Sequence, residues 1–388
     1  MSKPTLLVPI AGRGQRFFDQ GFTNPKPLIL AGGKHIIDYS FDSIVAEEYN
    51  IVFVVRDDHV RAFAIDDVLR SKYGTNIKIV KTQDITGGSV CSCLLAKDSV
   101  NPDSQLVIYT LDVGFSPVFS LSSVPKNSDG HILTFRANSP AYSYVETSAG
   151  VATATAEKKV ISQQAAVGIY YFKYAGEFFE YAEAMIKQGK TTNGEYYVCP
   201  LYNLLIQDGK RVTISEVDKM DIMGTPEELD FFVRKTLPKL GVKPLAICAD
   251  HSGYELKEAA KEVFKEHSIS FIDFGTYSPK DCDYNDYVKQ ATKHIRDGIC
   301  DFGFGFCRSG QGVNIAANKV SGIRSALVFD EYTAEYCRRH NCANFFSIPS
   351  KYVDPSAFRN IFSTLESNTF DGGRHMSRVI KAESNENI

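Results

Sequence analysis

The chain has 388 residues, 44% of them hydrophobic and 23% charged, with a formal net charge of −3. At roughly 100–200 residues per domain this implies two or three domains, and the apolar content excludes a chain that is mainly disordered. A pI near 6.3 gives no global attraction to nucleic acid, and without a run of about 18 apolar residues no segment is expected to span a membrane.

In chain order, the opening residues read as an apolar strand entering a glycine turn, with no secretory stretch. The nine cysteines include no Cys-x-x-Cys pair, so a cytoplasmic protein with reduced, mostly buried thiols is expected. Residues 6–10, 51–55, 77–80 and 106–111 are continuously apolar, as parallel strands covered on both faces are. Helical spacing over 35–46 and 61–73 completes an α/β alternation with a mostly parallel sheet. Residues 130–172 are strand-rich and predict a mixed-sheet insertion, followed by helices over 177–188, 196–207 and 226–235. The stretch 236–244, with two prolines and a glycine, reads as a short linker. The alternation then restarts: strand 245–249, helix 253–266, strand 270–274, helix 285–297, strand 302–306, a helix from Gly312 and strand 324–328. No repeat relates the halves. Two unrelated α/β domains are expected, residues 1–240 and 243–388.

The first strand enters Ala11-Gly12-Arg13-Gly14-Gln15-Arg16, and Pro25-Lys26-Pro27-Leu28 follows. Glycines straight after a buried strand let backbone amides approach a phosphate, and Arg13 and Arg16 add fixed positive charge. Alone, Gly-x-Gly describes a strand–turn–helix junction equally well, and the Walker spacing is absent. Joined to Thr86-Gly87-Gly88, Asp112, Glu157-Lys158, Glu195-Tyr196-Tyr197 and Gly224-Thr225-Pro226-Glu227, the pattern resembles the sugar-phosphate nucleotidyltransferases over residues 4–235.

That resemblance implies a Rossmann-like fold with a mixed sheet. Ala11, Gly12, Arg13, Gly14 and Arg16 would grip the nucleotide phosphates, and Lys26 would contact the reacting phosphates. Thr86, Gly87 and Gly88 would face the base, Glu157 and Lys158 the acceptor sugar phosphate, and Asp112 would hold Mg²⁺. Nucleotidyl transfer needs alignment and neutralised charge more than proton transfer, which suits these residue types. In relatives a second metal aspartate lies two residues before the glycine of the Gly-Thr-Pro turn. Here that place is Ile222, and Asp221 stands one residue further back, either a metal contact or a solvated loop acid.

In the second half, Cys307 follows the apolar run 302–306 and precedes Arg308-Ser309-Gly310-Gln311-Gly312-Val313-Asn314. A thiol at the carboxyl end of a strand, before glycines that open a helix, sits in a field favouring thiolate. Asp250-His251-Ser252-Gly253 forms another strand-to-helix turn, His340-Asn341 follow a helix over 332–339, and Arg374, His375 and Arg378 lie near the end. Each histidine alone is an ordinary surface or capping residue. Together the pattern resembles the type B ribose-5-phosphate isomerases and their galactose-6-phosphate isomerase relatives over residues 244–381.

This second resemblance implies a three-layer αβα Rossmann-like domain. Cys307 would be the base that moves a proton between C1 and C2 through an enediolate. Ser309 and the amides around Gly310 and Gly312 would stabilise the oxyanion, with Asn314 near the same loop. His340, next to Asn341, would assist ring opening, Asp250 would hold hydroxyls, and His251, Arg374 and Arg378 would bind phosphate. No cofactor is implied, and a site shared between subunits implies a homodimer or higher homo-oligomer. Arg308 departs from the glycine usual in relatives; it either adds a substrate contact or obstructs the pocket.

The combined expectation is a bifunctional enzyme. It would transfer a nucleotide from an NTP to a sugar or polyol phosphate, with Mg²⁺, and isomerise a sugar phosphate, supplying nucleotide-activated sugar for surface polysaccharide. By analogy with cytidylyltransferases that act on non-anomeric phosphates, CTP is the expected nucleotide. Two rivals stand beside it: an idle isomerase-like half that dimerises or senses ligand, and an N-terminal half that only binds nucleotide.

Overall fold

The computed structural model describes residues 2–31 and 34–384. The chain divides into two compact units, Met1–Leu229 and Asp230–Ile388. Among the described residues no helix is long and apolar enough to cross a membrane.

Strands are numbered β1 to β18 along the chain. The first unit holds β1 (Thr5–Pro9), β2 (Leu30–Ala31), β3 (Lys34–His35), β4 (Asn50–Arg56), β5 (Lys78–Thr82), β6 (Leu106–Tyr109), β7 (Val113–Ser116), β8 (Gly130–Arg136), β9 (Ser143–Ser148), β10 (Val151–Glu157), β11 (Gln164–Phe172), β12 (Val212–Glu216) and β13 (Lys219–Ile222). Nine of them form one sheet in the order β5-β4-β1-β6-β11-β8-β12-β10-β9. The first four run parallel, and β11 joins them antiparallel to β6, so the sheet is mixed from that point outward. Leu6, Leu7, Val107 and Ile108 are fully buried, as continuously apolar central strands require. β7 and β13 form a separate antiparallel pair. The helical spacing over 61–73 resolves into two helices, Asp57–Phe63 and Ile65–Tyr73, because Ala64 between them takes a left-handed φ of 46°.

The second unit is a five-stranded, wholly parallel sheet in the order β15-β14-β16-β18-β17, made of β14 (Leu245–Ala249), β15 (Phe271–Asp273), β16 (Gly303–Cys307), β17 (Ser325–Leu327) and β18 (Phe345–Pro349). Phe264, Phe304, Phe306, Phe346, Phe358 and Phe362 fill one core cluster. The division between the units falls within the helix Pro226–Thr236, ahead of the stretch read as a linker. Asp230 Oδ1 accepts the Gly373 amide at 2.8 Å, which ties that part of the helix to the turn before Arg374. Gly372 there has φ 68° and leaves no space for a side chain, since a Cβ would lie 2.0 Å from Asp230 Oδ1.

His131 on β8 is completely buried, with Nδ1 2.7 Å from Thr213 Oγ1 and Nε2 2.9 Å from Ser215 Oγ on β12. Burial lowers its pKa from 6.5 to about 4. Between those values the unfolded chain binds more protons than the folded one, so acidification through this window destabilises the fold, by about 3 kcal/mol when complete. Urea unfolding at pH 7 and pH 4 should therefore show a steeper loss for the wild type than for His131→Gln. Equal losses would remove His131 as the source.

Candidate functional site

In the first unit, the chain leaves β1 at a turn that Gly14 closes with φ 63°, and the short helix Gln15–Asp19 follows. A Cβ on Gly14 would lie 3.5 Å from Lys26 Cβ, so the glycine turn and the Pro-Lys-Pro segment are packed together. Lys26 Nζ donates to Asp112 Oδ2 at 2.8 Å and to the Gly224 carbonyl at 3.2 Å. Three distant sequence segments thus meet at one ammonium.

Arg16, Lys26, Asp112, Glu157, Lys158 and Glu228 line a pocket of about 400 Å³. Burial raises the Glu157 carboxyl above its ordinary range, against the Ser143 hydroxyl and the Lys158 charge that favour the anion. Lys158 Nζ donates to Tyr197 Oη at 2.7 Å, and Tyr197 in turn donates to Glu195. The Thr86–Gly88 loop is pinned to the backbone of Tyr196: Tyr196 donates to the Gly87 carbonyl at 2.8 Å, and a Cβ on Gly88 would sit 2.5 Å from Tyr196 O. Ala11, Gly12, Arg13, Gly14 and the 86–88 loop do not themselves line the 400 Å³ pocket.

Asp221, left open as a metal contact or a loop acid, is not among the residues that line this pocket; it lies on β13 between Met220 and Ile222, which do. Strand alternation turns Asp221 to the other face, where its carboxylate pairs with Lys219 at 2.9 Å. Besides Asp112 and Glu157, the pocket is lined by the carboxylate of Glu228, which sequence reasoning missed. A Cβ on Gly224 would stand 3.0 Å from Glu228 Oε2 and 3.2 Å from Asp112 Oδ2, so this glycine leaves open the space between two acids. The run Glu227-Glu228 offered the signal. The Glu228 amide donates to Thr225 Oγ1 at the start of the helix, and Glu227 accepts from Gln20 Nε2 at 2.7 Å while Glu228 lines the pocket.

In the second unit, Cys307 ends β16 and is 4% exposed. Its carbonyl accepts the Ser350 amide at 3.0 Å, and the Arg308 carbonyl accepts the Lys351 amide at 3.1 Å, so the end of β18 holds the thiol's backbone. Gly310 has φ 72°, and a Cβ there would lie 2.3 Å from Leu327 Cδ1. A Cβ on Gly312 would lie 2.6 Å from the Tyr284 ring, and Ser309 Oγ accepts the Gln311 amide at 3.3 Å. Asn314 lies one turn on, its amide donating to the Gly310 carbonyl at 3.1 Å.

The Asp250 turn abuts the same strand end. The Asp250 amide donates to the Phe306 carbonyl at 3.1 Å, and Asp250 Oδ1 accepts the Gly253 amide at 2.9 Å. Burial pushes the Asp250 carboxyl up, with that amide and His251 opposing. His251 Nδ1 stands 3.2 Å from Asp281 Oδ1.

Three of the other predicted isomerase residues gather elsewhere in this unit, and Arg374 stands beside them without lining the same pocket. His340, Asn341 and Arg378 line a pocket of about 730 Å³ with Asn318, Arg324 and His375, and Cys307, Asp250 and His251 do not line it. The His340 and His375 rings stack at 3.9 Å and 11°. Burial and the neighbouring His340, Arg374 and Arg378 charges lower the His375 pKa. Asp371 receives Arg339 Nε at 3.1 and 3.2 Å, fixing the loop that leads to Arg374. His375 was named in the sequence pattern but given no role, and Asp371, which adjoins the same Gly-Gly-Arg run, was not singled out.

The Ribose/Galactose Isomerase family matches residues 245–382. A putative sugar phosphate isomerase of Rickettsia bellii is 37% identical over 139 residues, which is 36% of this chain and 96% of that protein. Ribose-5-phosphate isomerase B of Escherichia coli is 33% identical over 138 residues, 36% of this chain and 93% of that one. The crystal structure of a nucleoside-diphosphate-sugar pyrophosphorylase from Vibrio cholerae aligns with 59% of this chain and all of its own, with a TM-score of 0.54 and 26% identity. Through residues 245–382 the chain belongs to the ribose/galactose isomerase family, fused to an N-terminal part that is nucleotidyltransferase-like.

Proposed function

We propose that this chain is a bifunctional enzyme that transfers a nucleotide from an NTP to a sugar or polyol phosphate and isomerises an aldose or ketose phosphate. The observation that supports it best is the gathering of Arg16, Lys26 and Lys158 with Asp112 and Glu228 about one pocket. Three cations suit two phosphorylated substrates, and carboxylates among them suit a divalent ion rather than another anion.

In the transfer, an acceptor phosphate oxygen attacks the α-phosphorus, the bond to the β-phosphate oxygen breaks, and pyrophosphate leaves. Lys26 and Arg16 neutralise charge on the phosphates, and Lys158, oriented by Tyr197, faces the acceptor beside Glu157. Asp112 and Glu228 would hold Mg²⁺ across the gap that Gly224 leaves, in place of the Asp112–Asp221 pair expected from sequence. Bound there, Mg²⁺ supplies charge neutralisation and alignment of phosphate oxygens.

In the isomerase half, Cys307 takes the proton from the carbon beside the carbonyl and returns it to the neighbouring carbon. The Gly310 loop amides stabilise the enediolate oxygen, and Asp250 holds hydroxyls. His340, Arg374 and Arg378 act from a second copy of the chain; in support, the pocket that His340 and Arg378 line within one chain does not include Cys307. The isomerase product carries its phosphate at the far end of an open chain, so consecutive action would give a nucleotide-linked ketose, with CTP the first nucleotide to try.

Pyrophosphate release across a matrix of NTPs and sugar phosphates identifies the transfer substrates. Lys26→Met and Asp112→Asn should abolish transfer and spare isomerisation. Cys307→Ser should do the opposite, slowing isomerisation by at least about 10²-fold. Cys337→Ser is the control, since burial pushes that thiol up to about 12. Loss of both activities in folded single variants would defeat the division of labour, and wild-type isomerisation by Cys307→Ser would leave the idle-module rival standing.

The shared site has its own test. Cys307→Ser and His340→Asn, each inactive alone, should regain about a quarter of wild-type isomerase activity after mixing and subunit exchange, because half the random dimers then carry one intact site. No recovery from exchanged dimers would place all the groups in one subunit.

A further inference from the structure

Lys257, in the helix Tyr254–Glu266, has a fully buried side chain. Neither activity described above uses it. Its ammonium donates to both carboxylate oxygens of Asp273, at 2.8 and 2.6 Å, and lies 3.0 Å from Glu258 Oε1. The rings of Tyr254 and Tyr277 flank it, with centroids at 5.8 and 5.4 Å. Burial alone would raise the Asp273 pKa; Lys257, Lys261 and the Gly275 amide outweigh it and hold it below the usual range. A lysine taken wholly out of water needs such a partner, and replacing such a pair by apolar groups often costs a fold nothing. Stability is therefore a poor reason for its presence.

Asp273 has a second engagement. Its Oδ1 also accepts the Gly275 amide at 2.9 Å, and Tyr277 Oη donates to its carbonyl at 2.7 Å, which shapes residues 273–277. That segment clasps the end of β14: Ala249 donates to the Gly275 carbonyl at 2.7 Å, and Thr276 donates to the Ala249 carbonyl at 2.9 Å. The next residues are Asp250 and His251. On the other side, a Cβ on Gly253 would lie 2.2 Å from the Phe306 carbonyl, one residue before Cys307. The Asp250 turn is thus held between the strand that bears the thiol and the segment Asp273 organises.

We infer that Lys257 is a positioning residue of the isomerase site: through Asp273 and the Gly275–Thr276 backbone it sets Asp250 and His251 relative to Cys307. The inference rests on the isomerase reading above, in which Asp250 and His251 bind substrate and Cys307 does the chemistry. Displacing the turn should then weaken binding more than turnover.

The test uses the full chain with ribose 5-phosphate as substrate. Lys257→Met alone leaves Asp273 short of a partner and should lower stability. The double variant Lys257→Met/Asp273→Leu should regain most of that stability, yet it leaves the Gly275 amide without its acceptor. Its KM should rise by at least about tenfold, with kcat changed less than about threefold. Nucleotidyl transfer stays at the wild-type level as the folding control. A double variant with wild-type KM would overturn the inference, and so would equal losses in kcat and kcat/KM. Should the double variant not fold, Lys257→Arg keeps the charge but enlarges the head group in a closed space, and the same rise in KM is expected; an unchanged KM overturns the inference. A wild type that does not isomerise ribose 5-phosphate or its analogues defeats the isomerase reading and the inference with it. That outcome is distinct from an active wild type whose KM the variants share.

Discussion

A strand covered on both faces has little room for charged groups along its length, so most of the chemistry gathers at its ends. Both units obey that constraint. The chain passes from fully buried Val8 to exposed Gly12 in four residues, and from Ile108 to Asp112 in the same interval. In the second unit Ala249 gives way to Asp250, and Phe306 to Cys307, in a single step. Each apolar strand acts as a rigid post, and the polar residue at its tip inherits a fixed position. The cost falls on the turns, where backbone must pass very close to backbone. That is why Gly88, Gly253 and Gly310 stand where even a methyl group would overlap a neighbour.

The two sites solve the problem of housing like charges differently. In the first unit Lys26 sits against Asp112, so a cation and an anion are stored together and neither is buried alone. In the second unit His340, His375, Arg374 and Arg378 lie close together, and Asp371 is engaged mainly by Arg339. That arrangement keeps a surplus of positive charge where an anion would relieve it.

The strands at the centre of each sheet were legible because burial on both faces leaves an unbroken apolar run. The glycine turns and Cys307 were legible because they follow such runs directly. What escaped depends on alternation and on encounters between distant segments. Asp221 is adjacent in sequence to the right place, but the pairing of β13 with β7 sends it to the wrong face. Glu228 enters the pocket only because the Gly224 turn and the helix start bring it round to Asp112. Ala64, an ordinary helix former, breaks a helix that its neighbours' spacing predicted to be continuous, because its backbone turns left-handed there. Lys257 reads as one more lysine on an amphipathic helix, and nothing local marks it as the one that faces inward.

The hydrogen bond from Gly373 to Asp230 bears on how this protein can be taken apart. A break chosen by proline and glycine content, at residues 236–244, would discard Asp230 and leave Gly373 facing water. The Gly372–Gly373 turn is the hinge from which Arg374 and His375 project, and its left-handed geometry is shaped around that carboxylate. Where a stand-alone C-terminal piece must begin is therefore a question of where a guanidinium's support begins: the helix Pro226–Thr236 supplies the footing for the turn that carries Arg374.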